Sequence, residues 1–160
     1  MDPKFLKAEE LGIRLEIVRG LHIWEASPVA RHQIAIDVIR KTIRPLRSDT
    51  PCACVHLSDV YVQFQDGSLK RPDIAIFCRT PDELDDAITL IPEAVIEVVS
   101  KGYEAKDFEI APNFYLSQGV KDVIIFEPIT AMVVHATKRQ ISRMQSPTNI
   151  ELQCGCALTA

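Results

Sequence analysis

The 160-residue chain has no apolar run long enough to cross a bilayer as a helix, which takes about 20 residues, and this excludes an α-helical membrane span. It also has no internal repeat, low-complexity tract or Gly/Ser-rich linker. The 6 glycines and 10 prolines are scattered as turn punctuation, so a solenoid is excluded and a single domain over residues 1–160 is expected. Basic charge is not in excess: 18 Lys and Arg against 22 Asp and Glu leave a net charge of −4, which argues against a strongly basic nucleic-acid surface over the whole molecule. Arg31, Arg40, Lys41, Arg44 and Arg47 form either a local basic patch or the solvated face of a helix. The opening Met-Asp-Pro-Lys carries no basic, apolar leader, and the expectation is a cytoplasmic protein.

The 4 histidines, His22, His32, His56 and His135, are dispersed without the spacing of paired helical metal ligands, and read as polar strand or helix residues. The 5 cysteines are an odd count, so reduced thiols are expected. Cys52-x-Cys54 and Cys154-x-Cys156 supply enough sulfur for zinc in principle. On strands, however, that spacing sends both side chains to one sheet face, and small buried apolar thiols are the simpler reading. A chain of this length buries about two-thirds of its unfolded surface, so folding requires neither metal nor disulfide.

What the sequence does contain is alternating β-type and helical pattern. Residues 15–25 read as a hairpin turning at Gly20, with Glu16 on its first arm. Ser27-Pro28 then opens a helix with Ile34, Val38, Ile39 and Leu46 at near-helical spacing. From Cys52 to the Asp66-Gly67 turn the period is that of strands. Ile74–Phe77 and the run 93–100 read as further strands, with the acidic segment 82–86 between them as a turn or short helix. Residues 103–118 fit a helix stopped at Gly119, in which Pro112 marks either a kink or the start of the regular half. Val120–Phe126 follows as a strand, making a strand–helix–strand unit suited to a parallel crossover, and the tail alternates like an antiparallel meander.

Asp73 and Glu97 stand out because both carboxylates lie in or beside apolar strand sequence, where a charge is costly unless it is paired or binds a cation. Magnesium takes oxygen ligands and keeps several waters, so two carboxylates and a backbone carbonyl suffice. Such a metal polarises a phosphoryl oxygen and activates water, and a nearby lysine usually completes the site. The alternative is structural: a surface Asp at a strand entrance and a Glu paired with a lysine.

The motifs Leu15-Glu16-Ile17-Val18-Arg19-Gly20, Ser27-Pro28 with Arg31-His32-Gln33, Arg71-Pro72-Asp73-Ile74-Ala75-Ile76, Ile96-Glu97-Val98-Val99-Ser100, and Phe114-Tyr115 followed by Gly119-Val120 and Phe126-Glu127-Pro128 run through nearly the whole chain. In order and spacing this resembles the Uma-two family of restriction-endonuclease-like proteins, common in cyanobacteria and of PD-(D/E)XK nuclease type. The resemblance implies an α/β fold with a restriction-endonuclease-like mixed β-sheet flanked by helices, an N-terminal hairpin and a C-terminal antiparallel meander. It implies a metal-dependent endonuclease acting on DNA as a homodimer. The metal would be magnesium, with manganese as the alternative, held by Asp73 and Glu97 with the Val98 carbonyl as a further ligand and Glu16 as an auxiliary acid.

One member of that pattern is missing. The lysine two residues after the Glu is Val99 here, and the family's other place for it, eight residues before the Gly-Val pair, is Ala111. Lys101 and Lys106 are the candidates to replace it. The alternative function is a nuclease-fold protein that binds nucleic acid or a protein partner without cutting.

Overall fold

Arg19 and Gly20 both take positive φ, 48° and 83°, which gives the two-residue hairpin loop whose twist matches that of its strands. The loop joins β1 (Arg14–Val18) to β2 (Leu21–Glu25) with Val18 opposite Leu21, as the sequence anticipates. The structure, a computed structural model, describes residues 3–25, 27–102, 104 and 106–160, and of Lys106 the backbone alone. Ahead of the hairpin lies α1 (Pro3–Glu10), which the sequence reading leaves unassigned. It is only two turns long, and its inward residues Phe5 and Ala8 pack with Leu15, Tyr61 and Leu69.

The next helix, α2 (Ala30–Arg40), begins two residues beyond Pro28, so Ser27-Pro28 precedes the helix rather than opening it. Its inward face is also not the expected one. His32, Ala35, Ile36 and Ile39 are buried, whereas Ile34 and Val38 are 63% and 57% exposed. Ile34 and Ile36 are roughly 200° apart around a helix, so only one of them can face the sheet. Ile36 shares its side with Ile39.

The remaining elements are β3 (Arg44–Pro45), β4 (Val55–Leu57), β5 (Val62–Gln63), β6 (Leu69–Lys70), β7 (Ile74–Phe77), β8 (Ala94–Val98), a π-helical turn Lys106–Ile110, α3 (Ala111–Ser117), β9 (Asp122–Glu127), β10 (Met132–Ala136), β11 (Ile141–Gln145), β12 (Asn149–Glu151) and β13 (Cys156–Thr159). The main sheet has the order β11-β10-β9-β8-β7-β4, and its one parallel pair is β8 with β9. The π-helical turn and α3 connect that pair, with Pro112 in the first turn of α3, so the proline starts the regular half of the helix. The hairpin belongs to a second sheet, β2-β1-β6-β5.

The core follows from strand alternation. Ile74, Ile76, Ile96 and Ile124 point to the α2 side, and Ala75, Phe77, Val95, Val123 and Ile125 to the α3 side, where Phe64, Phe114 and Tyr115 pack edge to face. Because β7, β8 and β9 are covered on both faces, they read as continuous apolar runs. The tail departs from a single meander. β10 and β11 extend the main sheet, while β12 and β13 form a separate three-stranded sheet with β3. Pro147, with no N–H for a ladder, lies between the two parts.

The cysteines also differ from expectation. Cys52 pairs with Cys78, and Cys54 with Cys156, while Cys154 is a free thiol. Neither Cys-x-Cys runs as a plain strand. Cys54 has φ 51° and Gly155 has φ 90°, and these left-handed residues turn the flanking sulfurs inward.

Candidate active site

β7 and β8 are antiparallel with Ile74 opposite Ile96, so the register carries Asp73 to the position facing Glu97. The backbone N–H of Asp73 donates to Glu97 Oε2 at 3.3 Å. Asp73 Oδ2 in turn accepts from the Val98 N–H at 2.7 Å and lies 3.1 Å from His32 Nε2. Tyr115 donates its hydroxyl to Glu97 Oε1 at 2.6 Å. Burial raises the Tyr115 pKa well above that of a free phenol, and the Glu97 and Glu16 charges raise it further, so the phenol keeps its proton and acts as a donor.

Glu16 stands in a buried ion pair. β1 and β6 are antiparallel with Ile17 opposite Leu69, which sets Glu16 against Lys70. Lys70 Nζ is 2.5 Å from Glu16 Oε2, both side chains are almost fully buried, and Glu16 Oε1 also accepts from the Arg71 N–H at 2.8 Å. The Lys70 ammonium lies 5.5 Å from the centroid of the Tyr115 ring, so Lys70, Glu16, Tyr115 and Glu97 form one connected polar group. Arg71 is held away from this group by Asp59 and Glu9 and stacks over Tyr61.

Three members of this constellation escaped the sequence reading. From sequence His32 reads as an ordinary polar residue, Tyr115 enters only through the Phe114-Tyr115 motif, and Lys70 carries no signal. The pairing of Lys70 with Glu16 spans 54 positions and has no local signal. His32 had a weak one, a histidine on the inward stripe of an amphipathic helix.

Of the lysines named from sequence, Lys101 is exposed in the turn after β8. It lines a cleft of about 410 Å³ together with Arg31, His32, Val99, Glu104 and Glu127. The side chain of Lys106 lies outside the described residues. Val99 and Ala111 are both buried in the core on the α3 side. Ala111 lies one helical turn before Tyr115, so the two share a face of α3.

Burial by itself would lower the His32 pKa, but the hydrogen bond and charge of Asp73 outweigh it, with smaller help from the Val98 backbone and Asp107, and the net shift is upward. A raised folded-state value means that the stability contributed by His32 is complete below 6.5 and fades as the pH rises through the folded value. In metal-free protein, His32→Gln is therefore expected to cost on the order of 1 kcal/mol in mildly acidic buffer and less in alkaline buffer. Urea unfolding at the two pH values measures the difference. A cost that grows with pH contradicts the assignment.

Residues 2–154 match the family model Uma2, described as "Putative restriction endonuclease". The chain belongs to the Uma2 family. Among solved structures, it is similar to one described as a putative nuclease belonging to DUF820 from Anabaena variabilis. That match has a TM-score of 0.68 and 20% sequence identity over 91% of this chain and 85% of the other. An identity this low speaks for the fold, which is restriction-endonuclease-like. A search of curated proteins returns no match. No helix among the described residues is long and apolar enough to cross a membrane. Nucleases of the restriction-endonuclease-like class generally depend on a metal ion. The donor set of this Uma2 chain fits a hard divalent cation: two facing carboxylates, of which Asp73 is partly open to solvent.

Proposed function

We propose that this Uma2 protein is a metal-dependent endonuclease hydrolysing DNA phosphodiester bonds, with Asp73 and Glu97 as ligands of magnesium or manganese. The observation that carries the reading is the facing of these two carboxylates across β7 and β8, in a chain of this family. The Val98 carbonyl is the further ligand and Glu16 the auxiliary acid. A metal at this place supplies polarisation of the phosphoryl oxygen and a bound water of lowered pKa.

The chain's own groups prepare the site. The Val98 N–H and His32 orient Asp73, and the Tyr115 hydroxyl fixes Glu97. The Glu16–Lys70 pair sets the charge balance beneath them. Lys101 and Lys106 are the candidates for the lysine that orients the attacking water. In the cleft beside His32, Arg31 and Lys101 are the cations that would meet a phosphodiester, and Glu104 and Glu127 on the same lining oppose them. The exposed pair Ile34 and Val38, one turn apart on α2, supports association with a second copy as a homodimer. The cytoplasm is the compartment that this reading implies.

Manganese titration with plasmid cleavage tests the proposal. Asp73→Ala combined with Glu97→Ala is expected to weaken manganese binding roughly tenfold or more and to reduce cleavage to background. Equal cleavage by wild type and the double variant refutes it. A second reading, a protein that binds DNA without cutting it, is favoured by the buried, apolar Val99 and Ala111 at the lysine positions. In that case DNA affinity falls steeply with salt while no metal produces cleavage.

A further inference from the structure

All five cysteines of the chain, contributed by three separate segments, meet at one place. The sulfurs of Cys52, Cys54 and Cys156 lie within 4.8 Å of one another and all three residues are buried. Those of Cys52, Cys78 and Cys154 form a second such group sharing Cys52. Cys156 Sγ is 3.5 Å from Cys52 Sγ although neither is bonded to the other. Apolar packing accounts for a buried thiol but not for five converging sulfurs, four of which two disulfides or one four-sulfur metal site would bring together. Nor does it account for Cys54 holding a left-handed backbone that a β-carbon disfavours. On the facing segment a glycine makes the equivalent turn. Gly155 has φ 90°, and a β-carbon there would sit 2.8 Å from Thr50 Cγ2.

We propose that, in its reduced form, this cluster is a structural zinc site in which Cys52, Cys54, Cys78 and Cys156 bind one Zn²⁺ as thiolates. A tetrahedral zinc with Zn–S of about 2.3 Å sets its sulfurs about 3.8 Å apart, so the buried group of three needs little movement to become three ligands. Cys78 Sγ is bonded to Cys52 Sγ but lies outside that group of three, so once its bond is reduced it is the ligand that moves to close the set. The balance is simple. A dithiol reductant, two equivalents in all, delivers two electrons and two protons to each disulfide, giving four thiols, and Zn²⁺ displaces their four protons. Cys154 stays outside as a thiol. The site is distinct from the carboxylate pair, because Cys78 follows the last residue of β7 and Asp73 precedes the first. It ties the end of β7 to the segment before β4 and to the start of β13.

The test is metal analysis of protein purified under reducing conditions, followed by cobalt substitution of the wild type. About one zinc per chain is expected, with thiolate-to-cobalt charge transfer and the strong visible bands of a tetrahedral site. Asp73→Ala with Glu97→Ala and Cys154→Ser should keep the zinc, whereas Cys52→Ser should lose it roughly tenfold or more. Reduced wild type that takes up neither zinc nor cobalt while all five thiols react with a thiol reagent overturns the proposal. So does zinc that leaves with the two carboxylates, and loss of zinc from Cys154→Ser overturns the ligand assignment. The cobalt spectrum is read on the wild type, and zinc content is compared only among variants that circular dichroism shows to be folded.

Discussion

Lys70→Met, with Glu16 left in place, is expected to lower the unfolding free energy by about 3–5 kcal/mol, the usual cost of removing one partner from a buried ion pair. Methionine fills much the same volume, so the loss is electrostatic rather than a cavity. Glu16 loses a countercharge at 2.5 Å in a site almost closed to water, and Tyr115 loses the cation near its ring. The penalty falls on the stranded charge, not on the absent bond. Glu16→Met together with Lys70→Met should therefore cost clearly less than Lys70→Met alone. Urea unfolding of the wild type and the single and double variants at neutral pH gives the coupling. A single variant within about 0.5 kcal/mol of wild type would show that the pair does not carry the burial assigned to it.

Ala111→Lys is expected to raise metal-dependent plasmid cleavage by about 10²–10³-fold, the scale of one well-placed catalytic ammonium. Position 111 lies one turn before Tyr115 on α3, and the Tyr115 hydroxyl already reaches Glu97, so a long side chain from the same face is aimed at the carboxylate pair. Ala111 is buried, and the added methylenes cost about 1–3 kcal/mol of stability, so the variant is to be checked for folding by circular dichroism. A folded variant that binds manganese and cuts no faster than wild type would mean that the missing lysine is not what limits this site.

How much of this was legible in the sequence varies with the range of the interaction. The hairpin at Arg19-Gly20 and the strands β7, β8 and β9 were readable because turn chemistry and short apolar runs are local signals. The strand–helix–strand order around α3 was readable for the same reason, and it produced the parallel β8–β9 pair. The inward face of α2 was misread because Ile34 and Val38 compete with Ile36 and Ile39 for the core, and local period does not say which stripe meets the sheet. The last two strands were misplaced because β13 pairs with β3, more than a hundred residues away, and takes β12 with it into that sheet.

By itself the sequence determined the order of the hairpin, α2, β7, β8, α3 and β9, the family pattern, and the identity of Asp73 and Glu97 as the carboxylates that strand burial would make costly. Each rests on residue type and short spacing, which local backbone geometry fixes. Tertiary structure alone decided what surrounds them. The register of β7 on β8 set the two carboxylates face to face, that of β1 on β6 put Lys70 on Glu16, and packing of α2 and α3 brought His32 to Asp73 and Tyr115 to Glu97. It also gathered five cysteines whose spacing had suggested separate thiols. These contacts join residues up to 104 positions apart, and a chain encodes such neighbours only through the fold that brings them together.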